Sequence, residues 1–179
     1  KTILVTSNSP GEGKTFTTIN IGAIIAKSGK KVVMLELDLH KPRIQKALDM
    51  NADIGISTFM VGQNTLEELV KSTQVTNLYA ILSGPIPPNP SDLVLSEKLR
   101  ELMEYVKANF DYILIDTPPV GMLADAAYLM QYSDINLMVL NTKFANKQVL
   151  NLFHKLVQDN SIKDMYLVLN GVKRKRSRY

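Results

Sequence analysis

Short apolar runs alternate with segments whose apolar residues recur at helical spacing, from one end of the chain to the other. Residues 3–6, 32–37, 78–82, 112–115, 135–140 and 165–169 carry little polar interruption and predict strands. Strands apolar on both faces suit the middle of a parallel sheet covered by helices. Between them, residues 15–27, 66–72, 92–107, 124–131 and 146–159 predict helices. The clearest is 92–107, where Leu95, Leu99, Leu102 and Val106 form one stripe behind Ser91 as a cap; the stripe reads as core packing. The stretch from Ser83 to Ser91 is rich in proline, which denies it a strand or helix interior and makes it a rigid loop. The alternation predicts an α/β fold, a doubly wound and mainly parallel sheet with helices on both faces. Right-handed crossovers then place ligands beyond the carboxyl ends of the strands.

Length and composition agree with one domain. The chain has 179 residues, 45% of them hydrophobic, and a net charge of +4, which excludes intrinsic disorder. Five cations, Lys173, Arg174, Lys175, Arg176 and Arg178, crowd the last seven positions, leaving 16 basic against 17 acidic residues in the rest. The predicted division is therefore a domain over 1–172 and a basic tail over 173–179. A solvated linker is the first reading of the tail. Membrane-surface attraction is the second, at about 1 kcal/mol per cation near anionic lipid. Nucleic acid is not an expected partner, because only Tyr179 lies near the cations to stack on bases.

Cysteine is absent, which excludes disulfides, thiolate zinc sites and a thiol nucleophile. His40 and His154 have no metal-site spacing. No apolar run approaches the ~18 residues that cross a bilayer, and no signal-peptide zoning is visible at the start. The expectation is a soluble domain. Because Lys1 stands one residue before a strand pattern, without Met, it is expected to be part of a longer protein.

Candidate chemistry begins after the first strand, at Ser9-Pro10-Gly11-Glu12-Gly13-Lys14-Thr15, followed by Phe16 and an apolar helix. Glycines let successive backbone N–H groups point inward at phosphate, and the helix N-terminus adds a favourable dipole. Lys14 is placed to reach terminal phosphates and Thr15 to hold Mg²⁺ through its hydroxyl. Asn8 stands where the motif has its first glycine, so that end of the loop is expected to close differently.

Two further strands end in carboxylates. Glu36 and Asp38 close the second, and two-residue spacing in an extended strand would turn both the same way. Asp116 follows Ile113-Leu114-Ile115 on the fourth. Three carboxylates at parallel strand tips beside a phosphate loop describe a Mg²⁺–nucleotide site. ATP is favoured over GTP, since Asn146-Lys147-Gln148-Val149 lacks the acid of a guanine-reading segment. Asn170 ends the last strand, either to read the adenine edge or as a turn residue.

Taken together, the Ser9–Thr15 loop, the Leu35-Glu36-Leu37-Asp38-Leu39-His40-Lys41-Pro42 segment and Ile113-Leu114-Ile115-Asp116-Thr117-Pro118-Pro119 resemble the bacterial tyrosine kinases that govern capsule and exopolysaccharide synthesis. The proline-rich loop shares the resemblance. More distant relatives are the partitioning and septum-positioning ATPases, which carry a lysine where Ser9 stands. The resemblance implies ATP and Mg²⁺ as cofactors and Pro10, Gly11, Glu12, Gly13, Lys14, Thr15, Phe16 and Asn170 as nucleotide contacts. It implies Thr15, Asp38 and Asp116 at the metal, directly or through water. Lys14, Glu36, Asp38 and Asp116 become the catalytic set, with Glu36 or Asp38 accepting the tyrosine proton. Implied partners are the C-terminal tyrosine segment of a neighbouring subunit in a homo-oligomeric ring and a transmembrane activator domain, at the cytoplasmic face of the bacterial inner membrane. The sequence departs from the family at Glu36, usually Asp, and at His40, usually Arg. It lacks the family's Glu-x-x-Arg-x-x-Arg subunit-contact helix, and Tyr179 alone represents the tyrosine cluster. An ATPase switch of the partitioning type and a nucleotide-binding scaffold with reduced catalysis are the competing readings.

Overall fold

Alternate residues of the central strands face two different helical layers. In the computed structural model, which describes residues 1–122, 124–158, 162 and 164–172, seven strands form one sheet. They are β1 (Thr2–Ser7), β2 (Val32–Glu36), β3 (Lys71–Ser72), β4 (Leu78–Ile81), β5 (Tyr112–Asp116), β6 (Ile135–Asn141) and β7 (Met165–Asn170), in the spatial order β3-β4-β2-β5-β1-β6-β7. All neighbouring pairs are parallel except β3 with β4. From β2, Val32 and Met34 join Ile3 and Leu114 beneath α1 (Lys14–Lys27), while Val33 and Leu35 join Leu4, Ile113 and Ile115 on the opposite side. That second layer is closed by Leu99, Leu102 and Val106 of α6 (Glu97–Asn109). Each such fully buried side chain contributes about 1.5–3 kcal/mol. Gly22 lets α1 lie flat on the sheet, since a Cβ there would come within 2.8 Å of Leu114 Cδ1.

The predicted strands are found, and the helices differ in instructive ways. The segment expected as one helix over 92–107 is two: α5 (Pro90–Val94) and α6. Pro90 starts α5, where its missing N–H has no helical partner to lose, and Ser96 rather than Ser91 precedes α6. Leu95 falls in the break and is 56% exposed, so it leaves the stripe that Leu99, Leu102 and Val106 form. The helix expected over 66–72 stops early, as α4 (Leu66–Leu69), because Val70 turns extended and Lys71–Ser72 pairs with β4 as β3. Two short helices had no predicted counterpart: α2 (Ile44–Ala47) and α3 (Ile56–Met60). The last two helices, α7 (Ala124–Leu129) and α8 (Lys147–Gln158), lie where expected, α7 running into a 3₁₀ turn at Met130–Tyr132. Asp159 and the basic tail 173–179 lie outside the described residues. Among the described residues no helix is long and apolar enough to cross a membrane.

The carboxyl ends of β1, β2 and β5 converge at the start of α1. The connection from β1 leads over α1 to β2 on one side of it, and later strands β6 and β7 continue on the other, which opens a crevice at the strand tips.

Candidate active site

Between β1 and α1 the chain makes a tight loop that two glycines permit. Gly11 and Gly13 have φ of +83° and +101°, a left-handed conformation that L side chains resist. A Cβ on Gly13 would also run into the Asn170 amide. Glu12 is fully buried and closes the loop from inside: its Oε2 accepts the Ser9 N–H at 2.8 Å. The end without the first glycine is held by Asn8, whose Nδ2 donates to Ser9 Oγ at 2.9 Å. Gly121 makes room for Asn8, because a Cβ at Gly121 would lie 2.5 Å from the Asn8 carbonyl oxygen.

Lys14 and Thr15 meet the carboxylates at the first turn of α1. Lys14 Nζ donates to Asp38 Oδ2 at 2.9 Å and lies 3.8 Å from Asp116 Oδ1. Thr15 Oγ1 donates to Asp116 Oδ2 at 2.7 Å. Burial pushes the Asp116 carboxyl up to about 7, against the pull of Lys14 and the Thr15 hydroxyl and with help from the charges of Asp38 and Glu36. Its Oδ1 is buried and accepts no hydrogen bond. A desolvated carboxylate oxygen without a donor, beside a threonine hydroxyl and a second carboxylate, fits a hard divalent cation or its water shell. Among the described residues no group of three or more His, Cys, Asp or Glu could form a cage. Mg²⁺ does not need one, since it is commonly held by one or two carboxylates together with substrate phosphates.

Glu36 lies beside Asp116 across the β2–β5 pairing, yet its own hydrogen bonds run elsewhere. The two-residue spacing would turn Glu36 and Asp38 together only if the strand continued, and β2 ends at Glu36. The Glu36 carboxylate is fully buried, with Oε1 accepting the Ile44 and Gln45 N–H groups and Oε2 accepting the Ser83 N–H at 3.1 Å. It ties the start of α2 and the proline-rich loop to the end of β2. Asn170 likewise turns to the back of the loop. Its Nδ2 donates to the Glu12 carbonyl at 2.9 Å and its Oδ1 accepts the Gly171 N–H at 2.8 Å, so neither end of the amide is directed at a base.

The crevice itself has a volume of about 470 Å³. One rim is the loop, with Pro10, Gly11, Gly13, Lys14, Thr15 and Phe16, and the other carries Asp38, His40, Lys41, Arg43, Pro118, Pro119 and Met122. Phe16 is 68% exposed at the edge. The residue that braces the second rim carries no distinctive mark in the sequence. Asp125, buried at the start of α7, accepts the Ser91 hydroxyl at 2.9 Å and faces His40 Nε2 at 3.2 Å through the same oxygen. It joins the segment after β2, the proline-rich loop and α7. An acid in the first turn of a helix reads as ordinary dipole compensation, so nothing local marked it.

These features define a phosphate-loop nucleotide-binding α/β protein. Comparison with known proteins narrows the class. The AAA domain family matches residues 1–167. Tyrosine-protein kinase YwqD of Bacillus subtilis is 31% identical over 97% of this chain and 73% of its own length. Tyrosine-protein kinase CpsD of Streptococcus pneumoniae serotype 4 is 37% identical over 83% of this chain and 66% of its own. The kinase domain of the Escherichia coli tyrosine kinase ETK superposes with a TM-score of 0.91 at 25% identity, covering 99% of this chain and 70% of that one. The chain spans only about a quarter of longer tyrosine-kinase relatives. It belongs to the family of bacterial tyrosine-protein kinases.

Proposed function

We propose that this domain transfers the γ-phosphoryl group of ATP to tyrosine hydroxyls. The observation that carries the reading is the meeting of Lys14, Thr15, Asp38 and Asp116 beneath a phosphate loop, with a second rim facing it. In-line transfer needs little covalent chemistry from the protein and depends on positioning and charge neutralisation. Backbone N–H groups of the loop and the Lys14 ammonium would hold the terminal phosphates. Thr15, Asp116 and Asp38 would hold Mg²⁺, which when bound spreads the negative charge developing on the phosphate oxygens. A tyrosine hydroxyl with a pKa of about 10 needs a base at neutral pH. Asp38, which lines the crevice, would take that proton, whereas Glu36 is fully buried and does not line the crevice. Glu at this position is then a change in a bracing residue and no mark of lost catalysis.

For the whole protein the proposal extends to phosphorylation of C-terminal tyrosines of a neighbouring subunit in a ring. An activator domain would hold it at the cytoplasmic face of the inner membrane, in control of polysaccharide synthesis. Family membership supports this setting. The test is incubation with Mg-ATP and a tyrosine peptide, followed by phosphosite mapping. Phosphotyrosine that disappears in Lys14→Met is expected; ATP hydrolysis with no tyrosine labelled at any enzyme concentration would instead identify a switch ATPase.

A further inference from the structure

The second rim of the crevice carries cations that the chemistry of transfer does not use. Lys41 and Arg43 line it beside Pro118, Pro119 and Met122, and both are exposed. Neither side chain forms an ion pair among the described residues. Arg43 continues into a shallow groove along α1 with Phe16, Asn20 and Lys46, whose ammonium is also without an ion pair among the described residues. Three uncompensated cations thus lead away from the crevice mouth.

Their backbone is held firmly. Asp38 Oδ1 accepts the Lys41 N–H at 3.0 Å, Pro42 is buried between the two cations, and Glu36 holds the N–H groups of Ile44 and Gln45 just after Arg43. Two carboxylates therefore fix the turn from which Lys41 and Arg43 project. Fixing a turn lowers the ordering cost of binding through it. The position also matters. Phosphates belong to the loop rim, and an in-line nucleophile must arrive from the opposite side, which is the rim that bears these cations and the apolar surfaces of Pro119 and Met122.

Resting on the kinase reading, we infer that Lys41 and Arg43 select acceptor segments in which the tyrosine is flanked by acidic residues. The ring would lie against Pro118, Pro119 and Met122, with neighbouring carboxylates meeting the two cations and, farther along, Lys46. Exposed charge pairs of this kind are individually weak and screened by salt, so the effect should appear as preference rather than absolute requirement.

The experiment compares a Glu-Glu-Tyr-Glu-Glu peptide with a Ser-Gly-Tyr-Gly-Ser peptide on the wild-type domain and on Lys41→Gln/Arg43→Gln, by transfer kinetics and by fluorescence anisotropy in the presence of Mg-ADP. The acidic peptide should show a KM about three- to tenfold lower than the neutral one. The gap should shrink at high salt and close in the double variant. Equal KM values in the wild type overturn the inference, and so does a variant whose KM for ATP rises as much as its KM for peptide, which would assign the cations to the nucleotide. If neither peptide is labelled while anisotropy still separates them, the kinase reading fails and acidic docking stands. If anisotropy does not separate them either, both fail.

Discussion

The Lys14 ammonium lies 2.9 Å from Asp38 Oδ2, with both side chains almost fully buried. The pair spans the crevice from the phosphate loop to the end of β2. It places a cation where terminal phosphates arrive and a carboxylate where an acceptor hydroxyl would approach. Lys14→Met should reduce tyrosine phosphorylation by roughly 10²- to 10³-fold, the loss typical of removing one preorganised charge from a transition state. Asp38→Asn should reduce it by about 10²-fold or more through loss of the base while retaining ADP binding. Single-turnover transfer and ADP titration measure the two effects separately.

Asp116 should make the metal-free domain less stable as pH rises. Its carboxyl titrates near 7 in the folded chain against an ordinary value of 3.8. Below 3.8 both states hold the proton and no difference arises. Between 3.8 and about 7 the unfolded chain ionises while the folded one retains its proton, so stability is lost across that window and the loss is complete above it. At about 1.4 kcal/mol per unit the full effect is at most ~4 kcal/mol. In EDTA, Asp116→Asn should flatten the pH dependence of Tm between 5 and 8 and exceed wild type at pH 8. It should also abolish transfer.

Glu36 should behave as a bracing residue. Glu36→Ala removes the acceptor of three backbone N–H groups from three residues, Ile44, Gln45 and Ser83. Leaving buried donors without partners should cost about 2–4 kcal/mol in urea denaturation. Transfer by the folded fraction should fall less than in Asp38→Asn. A larger loss in Glu36→Gln than in Asp38→Asn at full folding would reverse the two assignments.

The Asp125 contacts carry a similar expectation for the second rim. Asp125→Ala deprives the Ser91 hydroxyl and His40 of their shared acceptor, and should destabilise by about 1–3 kcal/mol. Ser91→Ala should cost less, about 1 kcal/mol, because removing the donor leaves Asp125 still facing His40. KM for peptide should rise in Asp125→Ala more than KM for ATP, since His40 stands on the rim opposite the loop.

The strands and the phosphate loop were legible because their signals are local: apolar runs bounded by polar residues, and glycines at positions with positive φ. Lys14, Thr15, Asp38 and Asp116 fall together because the loop and strand tips must meet in this topology. Glu36 is found beside Asp116 but outside the crevice lining, because alternation holds only within a strand and β2 ends there. Asn170 was placed at the right end of the sheet, but its partner is the Glu12 carbonyl, 158 positions away in sequence. The break at Leu95 is local but masked: helical spacing runs on through it, and only Pro90 at the start of α5 and Ser96 before α6 separate the two segments. Asp125 gathers Ser91 and His40 from two distant segments, which no spacing rule connects.

Tyrosine transfer by the Lys14–Asp38–Asp116 site can be read directly from its product. The most direct measurement is phosphoamino-acid analysis of a tyrosine peptide after incubation with labelled ATP and Mg²⁺, for the wild type and Lys14→Met side by side. Label is expected on tyrosine alone, dependent on Mg²⁺ and lost in the variant. Label that persists in Lys14→Met, or ATP turnover that leaves the peptide unlabelled, contradicts transfer by this site.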